Sequence, residues 1–248
     1  MGKYQTASRR KTFLFSGLLA APFCAAILAP SAVLAGALEV SPINIEVPAA
    51  AATTTENLTN RGKTPINAQL RIFKWVQKNG VDKLEATTDV VASPPALKIP
   101  PGGKATIRVV RLSKAPVTGE ETYRLLIDDI PPPPAAGTDS VTFAVRHNIP
   151  VFYQASGIKS KLAWTAKSNN GQLELDATND GLLHSRLSLL AVTIGGVTTN
   201  FNNGLAGYVL GGGSNAWKMK LKALKAGTSV KITASTNDGP VETTIQVQ

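Results

Sequence analysis

The strongest constraint on the fold of this chain is the frequency with which proline, glycine and asparagine interrupt its extended segments. Between these turn signals lie short stretches in which apolar and polar residues alternate, as in Leu38-Glu39-Val40 and Leu173-Glu174-Leu175. Alternation with a period of two is typical of strands with one buried face, and closely spaced strands of this kind are typical of β-sandwiches. Because helix-forming residues are few by comparison, the sequence predicts an all-β protein.

The first 35 residues are expected to lie outside this fold. Four cations within residues 3–11 precede an apolar run over residues 13–34, and Val33-Leu34-Ala35 lies directly before Gly36. A basic start, an apolar middle and small residues before a cleavage point are typical of a secretory signal peptide. The run is long enough to span a membrane, but Pro22 and Pro30 within it favour cleavage. We therefore expect an exported protein that does not insert into a membrane once residues 1–35 are removed.

Removal of this leader changes the charge and the cysteine content. The remaining chain has 22 basic and 16 acidic residues, a net charge of +6, and the loss of Cys24 leaves it without a cysteine. It is therefore predicted to fold without a disulfide, and its two histidines are too few for a His/Cys zinc cluster. No cluster of Lys and Arg is interleaved with aromatic residues, as nucleic-acid binding would favour. We expect no metal, no cofactor and no nucleic-acid partner.

Gly157 divides the rest of the chain into two predicted domains, residues 36–156 and residues 157–248. After this glycine, turn signals such as Asn169-Asn170-Gly171 become more frequent. Each part is long enough for one sandwich, so the sequence predicts two β-sandwich domains.

Three segments of the first predicted domain carry more specific predictions. Residues 68–76 read as a strand whose alternation slips between Ile72 and Phe73, which predicts either a bulge or burial on both faces. Asn79-Gly80 follows and predicts a two-residue hairpin turn. Residues 141–153 form the longest strand-like run in the chain.

Candidate catalytic residues are sparse. His147 and His184 fall in different predicted domains, and neither lies beside a nucleophile motif such as Gly-x-Ser-x-Gly. His184 follows a turn and is expected to be exposed. Asp128 and Asp129 are neighbours on a predicted strand, so their side chains point to opposite faces and cannot act as a carboxylate pair. The sequence therefore predicts that this protein is not an enzyme.

A series of ordered motifs lies between residues 70 and 153. They are Leu70-Arg71-Ile72-Phe73-Lys74-Trp75, Ser93-Pro94-Pro95, Ile99-Pro100-Pro101-Gly102-Gly103, Arg108-Val109, Tyr123-Arg124-Leu125-Leu126-Ile127-Asp128-Asp129-Ile130-Pro131 and Ile149-Pro150-Val151-Phe152-Tyr153. Together they resemble periplasmic pilus-assembly chaperones of the PapD-like superfamily, and the first and last are similar to the archaic branch of chaperone–usher systems. The resemblance implies a periplasmic protein with two immunoglobulin-like domains in an L-shaped, boomerang arrangement.

The resemblance also implies a function in fimbrium biogenesis. Chaperones of this family lend a β-strand to incomplete pilus subunits and deliver them to an outer-membrane usher. Here Val141, Phe143 and Val145 alternate along one side of the corresponding strand. They are the candidate subunit-binding residues, and pilus subunits, the usher and, for the free chaperone, a second copy of this chain are the expected partners.

Family members of the P-pilus type hold the subunit's terminal carboxylate with two basic residues. The matching positions here carry Asn44 and Pro150, so a different cation is expected to supply the charge-assisted hydrogen bond. Arg124 is the first candidate because it precedes the proline-rich loop beside the lending strand; Arg108 and Arg146 are the second. The alternative for Arg124 is an exposed ion pair with Asp128 on the same face.

Two aromatic residues in the matched region are expected to have structural roles. Tyr123 begins a strand where immunoglobulin-like domains carry a tyrosine corner, a tyrosine whose hydroxyl bonds to upstream backbone. Trp75 is expected to lie in the core rather than to form a ligand platform.

The alternative function is that of a secreted two-domain β-sandwich adhesin, or of a structural pilus or surface subunit. A carbohydrate-binding adhesin would be expected to cluster aromatic residues on exposed loops. In the second predicted domain, by contrast, Trp164, Phe201, Tyr208 and Trp217 are scattered along the sequence.

Overall fold

The computed structural model describes residues 1–2, 37–131 and 143–248. The leader, Cys24 and Val141 therefore lie outside the described residues. The described chain forms β1 (Leu38–Ser41), β2 (Ile45–Pro48), β3 (Thr53–Asn60), β4 (Ile66–Lys78), β5 (Val81–Ala86), β6 (Val90–Ser93), β7 (Ala96–Ile99), β8 (Lys104–Arg111), β9 (Glu120–Asp129), β10 (Arg146–Gln154), β11 (Leu162–Asn169), β12 (Gln172–Asn179), β13 (Ser185–Ile194), β14 (Val197–Asn200), β15 (Leu205–Val209), β16 (Ser214–Lys220), β17 (Ser229–Thr236) and β18 (Gly239–Gln246). Within those ranges no helix is long and apolar enough to cross a membrane.

The first ten strands form two sheets that pack around one core. One sheet has the order β1-β3-β8-β6, and the other has the order β2-β10-β9-β4-β5, with β7 also paired to β4. Strand β2 runs parallel to β10, whereas the other pairs are antiparallel. Inward-facing residues such as Leu58, Ile107, Leu125 and Ile127 are fully buried between the sheets. This burial follows from the period-two alternation of the strands, which places apolar side chains on one face.

The remaining eight strands form a second sandwich. Its sheets have the orders β11-β12-β16 and β14-β13-β17-β18, with β15 also paired to β13. Its core contains Leu173, Leu175, Leu187 and Ile232, all fully buried. The prediction of an all-β protein with two immunoglobulin-like sandwiches is therefore confirmed.

The two turn predictions made from Asn-Gly pairs are also confirmed. Asn79 and Gly80 both have positive φ (53° and 73°) and connect β4 to β5. Asn170 and Gly171 repeat this geometry (49° and 72°) between β11 and β12. Two successive residues with positive φ define the type I′ turn, which matches the twist of paired strands and favours Asn followed by Gly.

In β4, burial on both faces explains the slip in alternation, and there is no bulge. The strand pairs with β9 in continuous register through Ile72 and Phe73, and its pairing with β5 begins at Phe73 without a register shift. Before the slip, Leu70 faces the core of the first sandwich, whereas after it Trp75 is buried on the other face. This second buried face lies against the second sandwich.

The structure adds one strand that the sequence did not indicate and corrects the extent of another. Strand β3 follows the Ala-rich residues after β2, and its Glu56, Leu58 and Asn60 face inward despite its polar composition. Residues 141–153 are not the longest described strand: β10 begins at Arg146, and β4 is longer, with 13 residues.

Candidate functional site

A small apolar cluster joins the two sandwiches. It consists of Trp75 and Phe152 from the first sandwich and Tyr208 and Leu210 from the second. The Trp75 and Tyr208 rings meet edge to face with their centroids 5.3 Å apart, and Phe152 lies 6.0 Å from each of them. Trp75 is only 1% exposed, so it is buried as predicted. It is buried in the contact between the two sandwiches and not in the core of the first one.

Buried polar contacts reinforce this junction. The backbone N–H of His184 donates to Glu120 Oε2 over 2.8 Å, and His184 Nδ1 lies 2.7 Å from Glu120 Oε1. The His184 ring stacks on Phe152 at a centroid distance of 3.7 Å. The prediction that His184 is exposed is therefore wrong: its side chain is 1% exposed, and the carboxylate of the other sandwich pairs with its backbone N–H and its Nδ1.

Gln77 forms a second polar contact across the junction. Its Nε2 donates to the carbonyl of Tyr208 over 2.9 Å, and its Oε1 accepts from the N–H of Leu210 over 2.8 Å. The amide nitrogen and the amide oxygen of Gln77 therefore both pair with backbone groups at the end of β15. These two hydrogen bonds fix the position of β4 relative to the end of β15.

Beside this junction lies a cleft with a volume of about 320 Å³. The first sandwich contributes Asn44, Arg124 and Pro150 to its walls, and the second contributes Arg186, Leu205 and Tyr208. The cleft therefore contains Asn44 and Pro150, which the sequence motifs matched to the basic positions of P-pilus chaperones, together with Arg124, the first candidate to replace them.

Arg124 lies in this cleft with its guanidinium stacked on aromatic rings. Its Cζ is 3.6 Å from the centroid of Trp75 and 5.3 Å from that of Tyr208. Such cation–π contacts hold the planar group in a fixed orientation. Burial lowers the pKa of Arg124, and Tyr208 and Asp82 act in the opposite direction. An arginine nevertheless stays charged at neutral pH.

The alternative role for Arg124, an ion pair with Asp128, is not what the structure shows. Asp128 accepts from Arg71 Nη2 over 2.5 Å and from Arg146 Nε. Within the described part of the chain, Arg124 forms no ion pair. Its charge is therefore available to a ligand.

The two second-choice anchors lie elsewhere. The charge of Arg146 is neutralised by Asp128. Arg108 is on β8, which pairs with β3 and β6 in the other sheet of the sandwich. Of the three candidate arginines, the structure brings only Arg124 into the cleft.

Sequence reasoning missed a second cation in this cleft, Arg186. It is on β13 directly opposite Tyr208 of β15. No motif marks this position, because the family resemblance ended near residue 155. Only the pairing of β13 with β15 and the contact between the sandwiches bring Arg186 close to Arg124.

The candidate lending segment leads into β10. Phe143 is 81% exposed and Val145 is partly buried, and Val141 lies outside the described residues. The carbonyl of Val145 accepts from the N–H of Asp129 over 2.9 Å. Ile149 and Val151, at the same parity, are buried in the core. The side that carries core residues in β10 thus carries an exposed aromatic residue just before the strand begins.

The prediction of a tyrosine corner at Tyr123 is wrong. Tyr123 is fully buried, but its hydroxyl donates to Glu121 Oε2 over 3.1 Å rather than to upstream backbone. Glu121 is also bound by Arg111, whose Nη2 lies 2.7 Å from Oε1. A carboxylate two residues away therefore replaces the backbone partner.

These features define a class of protein: two immunoglobulin-like sandwiches with a cationic cleft between them and an exposed apolar segment at one strand end. Residues 37–159 match the family described as pili and flagellar-assembly chaperone, PapD N-terminal domain. The chain belongs to the PapD-like pilus-assembly chaperones, which are not enzymes. The resemblance drawn from the sequence motifs is thus confirmed, and the adhesin alternative is not supported.

Solved structures share this fold. The chaperone–tip adhesion subunit pre-assembly complex CsuC–CsuE, from archaic chaperone-usher Csu pili of Acinetobacter baumannii, matches with 26% identity and a TM-score of 0.65, over 86% of this chain and 98% of that one. The Pseudomonas aeruginosa CupB2 chaperone matches with 19% identity, a TM-score of 0.57 and coverage of 85% and 100%. A complex of Salmonella enterica SafA pilin with the SafB chaperone matches with 15% identity, a TM-score of 0.58 and coverage of 84% and 96%. A search of curated protein sequences found no match.

Proposed function

We propose that this protein is a periplasmic chaperone of the archaic chaperone–usher branch. It binds incomplete pilus subunits by lending them the strand that contains Val141, Phe143 and Val145, and it delivers them to an outer-membrane usher. The observation that carries the proposal is the 81% exposure of Phe143 on the side that continues the core face of β10. The similarity to a chaperone in complex with an archaic-pilus subunit supports the same conclusion.

Strand lending explains why an apolar side chain is exposed here. A subunit that lacks a strand has an open edge, which is a site of aggregation unless another strand covers it. A lent strand supplies main-chain hydrogen bonds to that edge and places alternate side chains in the groove. Burial of two valines and a phenylalanine contributes at most about 1.5–3 kcal/mol each, before the costs of association.

The test replaces Phe143 with aspartate and measures how much subunit is recovered with the chaperone from periplasm after co-expression. Because Phe143 is exposed in the free protein, Phe143→Asp should leave folding intact, while a charge placed in the subunit's groove should abolish most of the complex. Val197→Asp is the matched control, since Val197 is 69% exposed on β14 of the second sandwich. Equal recovery with both variants would show that this segment does not carry the binding.

We also propose that Arg124 anchors the subunit's terminal carboxylate. The support is its place in the cleft beside Asn44 and Pro150 and its lack of an ion-pair partner among the described residues. Arg124→Ala and a one-residue extension of the subunit's carboxyl terminus should each weaken the complex. Together they should do little more than either alone, because both remove the same interaction. Fully additive effects would show that Arg124 does not bind the carboxylate.

A further inference from the structure

The second sandwich has a cavity of about 420 Å³ at the open side between its two sheets. Strands β11 and β18 are edge strands of these sheets, and the two edges meet where Ala166 of β11 pairs with Val247, directly after β18. Towards the start of both strands the cavity lies between them, lined by Leu162 and Trp164 of β11 and by Val241 of β18. Small-molecule sites commonly have volumes of about 300–1,000 Å³, whereas one water molecule occupies about 30 Å³. The cavity is therefore large enough for a small ligand.

Two residues that line this cavity have buried polar atoms without a partner. Trp164 Nε1 and Ser185 Oγ are both buried, and neither forms a hydrogen bond among the described residues. Ser185 as a whole is fully buried. A buried polar group without a partner costs free energy, so such a group is commonly satisfied by water or by a ligand. Because an indole N–H can only donate, the ligand must carry a hydrogen-bond acceptor.

The rim of the cavity carries one charge of each sign. Asp238 lies in the turn between β17 and β18, where it is exposed, and its Oδ2 accepts from Ser160 Oγ over 2.7 Å. Lys159 also lines the cavity and is exposed. One cation and one anion favour a neutral ligand, since a ligand with a net charge would be repelled by one of them. Because a carboxylate can only accept, the ligand must carry a donor as well.

Much of the remaining lining is apolar. Leu162, Trp164 and Val241 are half-buried, and Pro240 is exposed. Such walls favour a ligand with a C–H face that packs against them. A hydroxyl group both donates and accepts, so a neutral ring with several hydroxyls and a C–H face meets all the requirements of this site.

We propose that this cavity binds a pyranose sugar, either free or at the end of a glycan. One sugar hydroxyl accepts from Trp164 Nε1, a second pairs with Ser185 Oγ and a third donates to Asp238, while the C–H face of the ring packs on the apolar wall. Among the described residues, the linings of this cavity and of the cleft between the sandwiches have no member in common. A sugar and a subunit can therefore be bound at the same time. The inference goes beyond the proposed function, because strand lending requires no sugar.

The test follows the indole Nε1–Hε1 cross-peaks of the exported protein by NMR. The chain has three tryptophans, and Trp164→Phe identifies the cross-peak of Trp164. D-glucose, D-galactose, D-mannose and N-acetyl-D-glucosamine are titrated, with sorbitol as the control because it carries hydroxyls without a ring. At least one sugar should shift the Trp164 cross-peak saturably and bind at least about tenfold more tightly than sorbitol, since only the ring presents a C–H face. The cross-peak of Trp75, which is buried at the junction of the sandwiches, should not move.

Two aspartate variants test the site without disturbing the core. Asp238→Ala should weaken sugar binding at least about tenfold, because it removes a charge-assisted hydrogen bond. Asp180→Ala is the matched control at an exposed position outside the cavity, and it should bind as the wild type does. A trisaccharide of the best-binding sugar distinguishes the two sources: tighter binding than the single sugar indicates a glycan, and equal or weaker binding indicates a free sugar.

Three results would overturn the inference. If none of the four sugars shifts the Trp164 cross-peak, the cavity is not a sugar site. If sorbitol binds as tightly as the sugars, the site does not recognise a ring. If the two aspartate variants bind equally well, Asp238 is not a ligand of the sugar and the assigned geometry is wrong.

Discussion

Glu56 makes the stability of this protein depend on pH. It lies on β3 directly opposite Ile107, is fully buried, and neither of its carboxylate oxygens has a hydrogen-bond partner in the described structure. Burial raises the pKa of Glu56 from 4.5 to about 8, because water solvates a carboxylate far better than a protein interior does. The side chain is therefore protonated in the folded protein at neutral pH, whereas it is ionised in the unfolded chain.

The sign and size of the effect follow from this difference. A carboxyl group with a raised pKa in the folded state costs no stability at low pH, where both states are protonated. The cost grows as the pH rises above the unfolded value and levels off above the folded value. At about 1.4 kcal/mol for each pKa unit, the cost at neutral pH is at most about 3.5 kcal/mol. Screening by solvent and relaxation of the interior reduce it to about 2 kcal/mol.

The experiment compares urea unfolding of the wild type and Glu56→Gln between about pH 4, where the carboxyl is mostly protonated in both states, and about pH 7.5, where the two states differ in protonation. Glutamine keeps the shape and the unsatisfied polar atoms of Glu56 and removes only its ionisation. The variant should match the wild type at the lower pH and be more stable by about 2 kcal/mol at the higher one. Glu242→Gln is the control, since Glu242 on β18 is 66% exposed. If the two variants show the same pH dependence as the wild type, Glu56 is not protonated in the fold and the reasoning fails.

Two further predictions concern buried polar groups. Asn179→Ala should lower the free energy of unfolding by about 3 kcal/mol or more. Asn179 donates to the carbonyls of Leu183 and Val209 and accepts from the N–H groups of Lys161 and Gly181, and alanine loses all four hydrogen bonds. The control Asn200→Ala, at an exposed site on β14, should change the free energy of unfolding measured in urea by less than about 0.5 kcal/mol. His184→Ala should destabilise the protein by about 2 kcal/mol or more, because it removes the buried ring that lies 2.7 Å from Glu120 Oε1 and stacks on Phe152. Glu120→Gln in the same variant should recover part of the loss, since the amide costs less to bury than a carboxyl that has lost one partner; no recovery would contradict this explanation.

Local sequence patterns predicted the features that depend on local structure. The Asn79-Gly80 turn, the alternating strands and the change of buried face in β4 all follow from side chains within a few residues of one another. The ordered motifs were specific enough to indicate the family. Contacts between distant segments were predicted poorly. His184 was expected to be exposed because it follows a turn, yet it is buried against Glu120, which is 64 residues away.

The same limit applies to the cleft. Arg124 could be singled out because it lies within a motif, but its support by Trp75 required the fold, since the two residues are far apart in sequence and meet through the pairing of β4 with β9. Arg186 had no local signal at all. The alternation of side chains along β13 indicates which face of the strand carries Arg186. Its position relative to the first sandwich depends on the junction formed by Phe152 and Tyr208.

Although Asn44 and Pro150 are uncharged, the neighbouring strand β9 places a cation in the same cleft. Pro150 on β10 is paired in register with Arg124 on β9, and side chains directly opposite each other in an antiparallel pair start only about 5 Å apart. Because an arginine side chain is longer than this separation, a guanidinium that begins on β9 can reach the region that a lysine on β10 would occupy. Proline keeps this part of β10 free of charge and leaves room for the stacked guanidinium. The cleft therefore retains a fixed cation although Asn44 and Pro150 are both uncharged, and this supports the assignment of the carboxylate to Arg124.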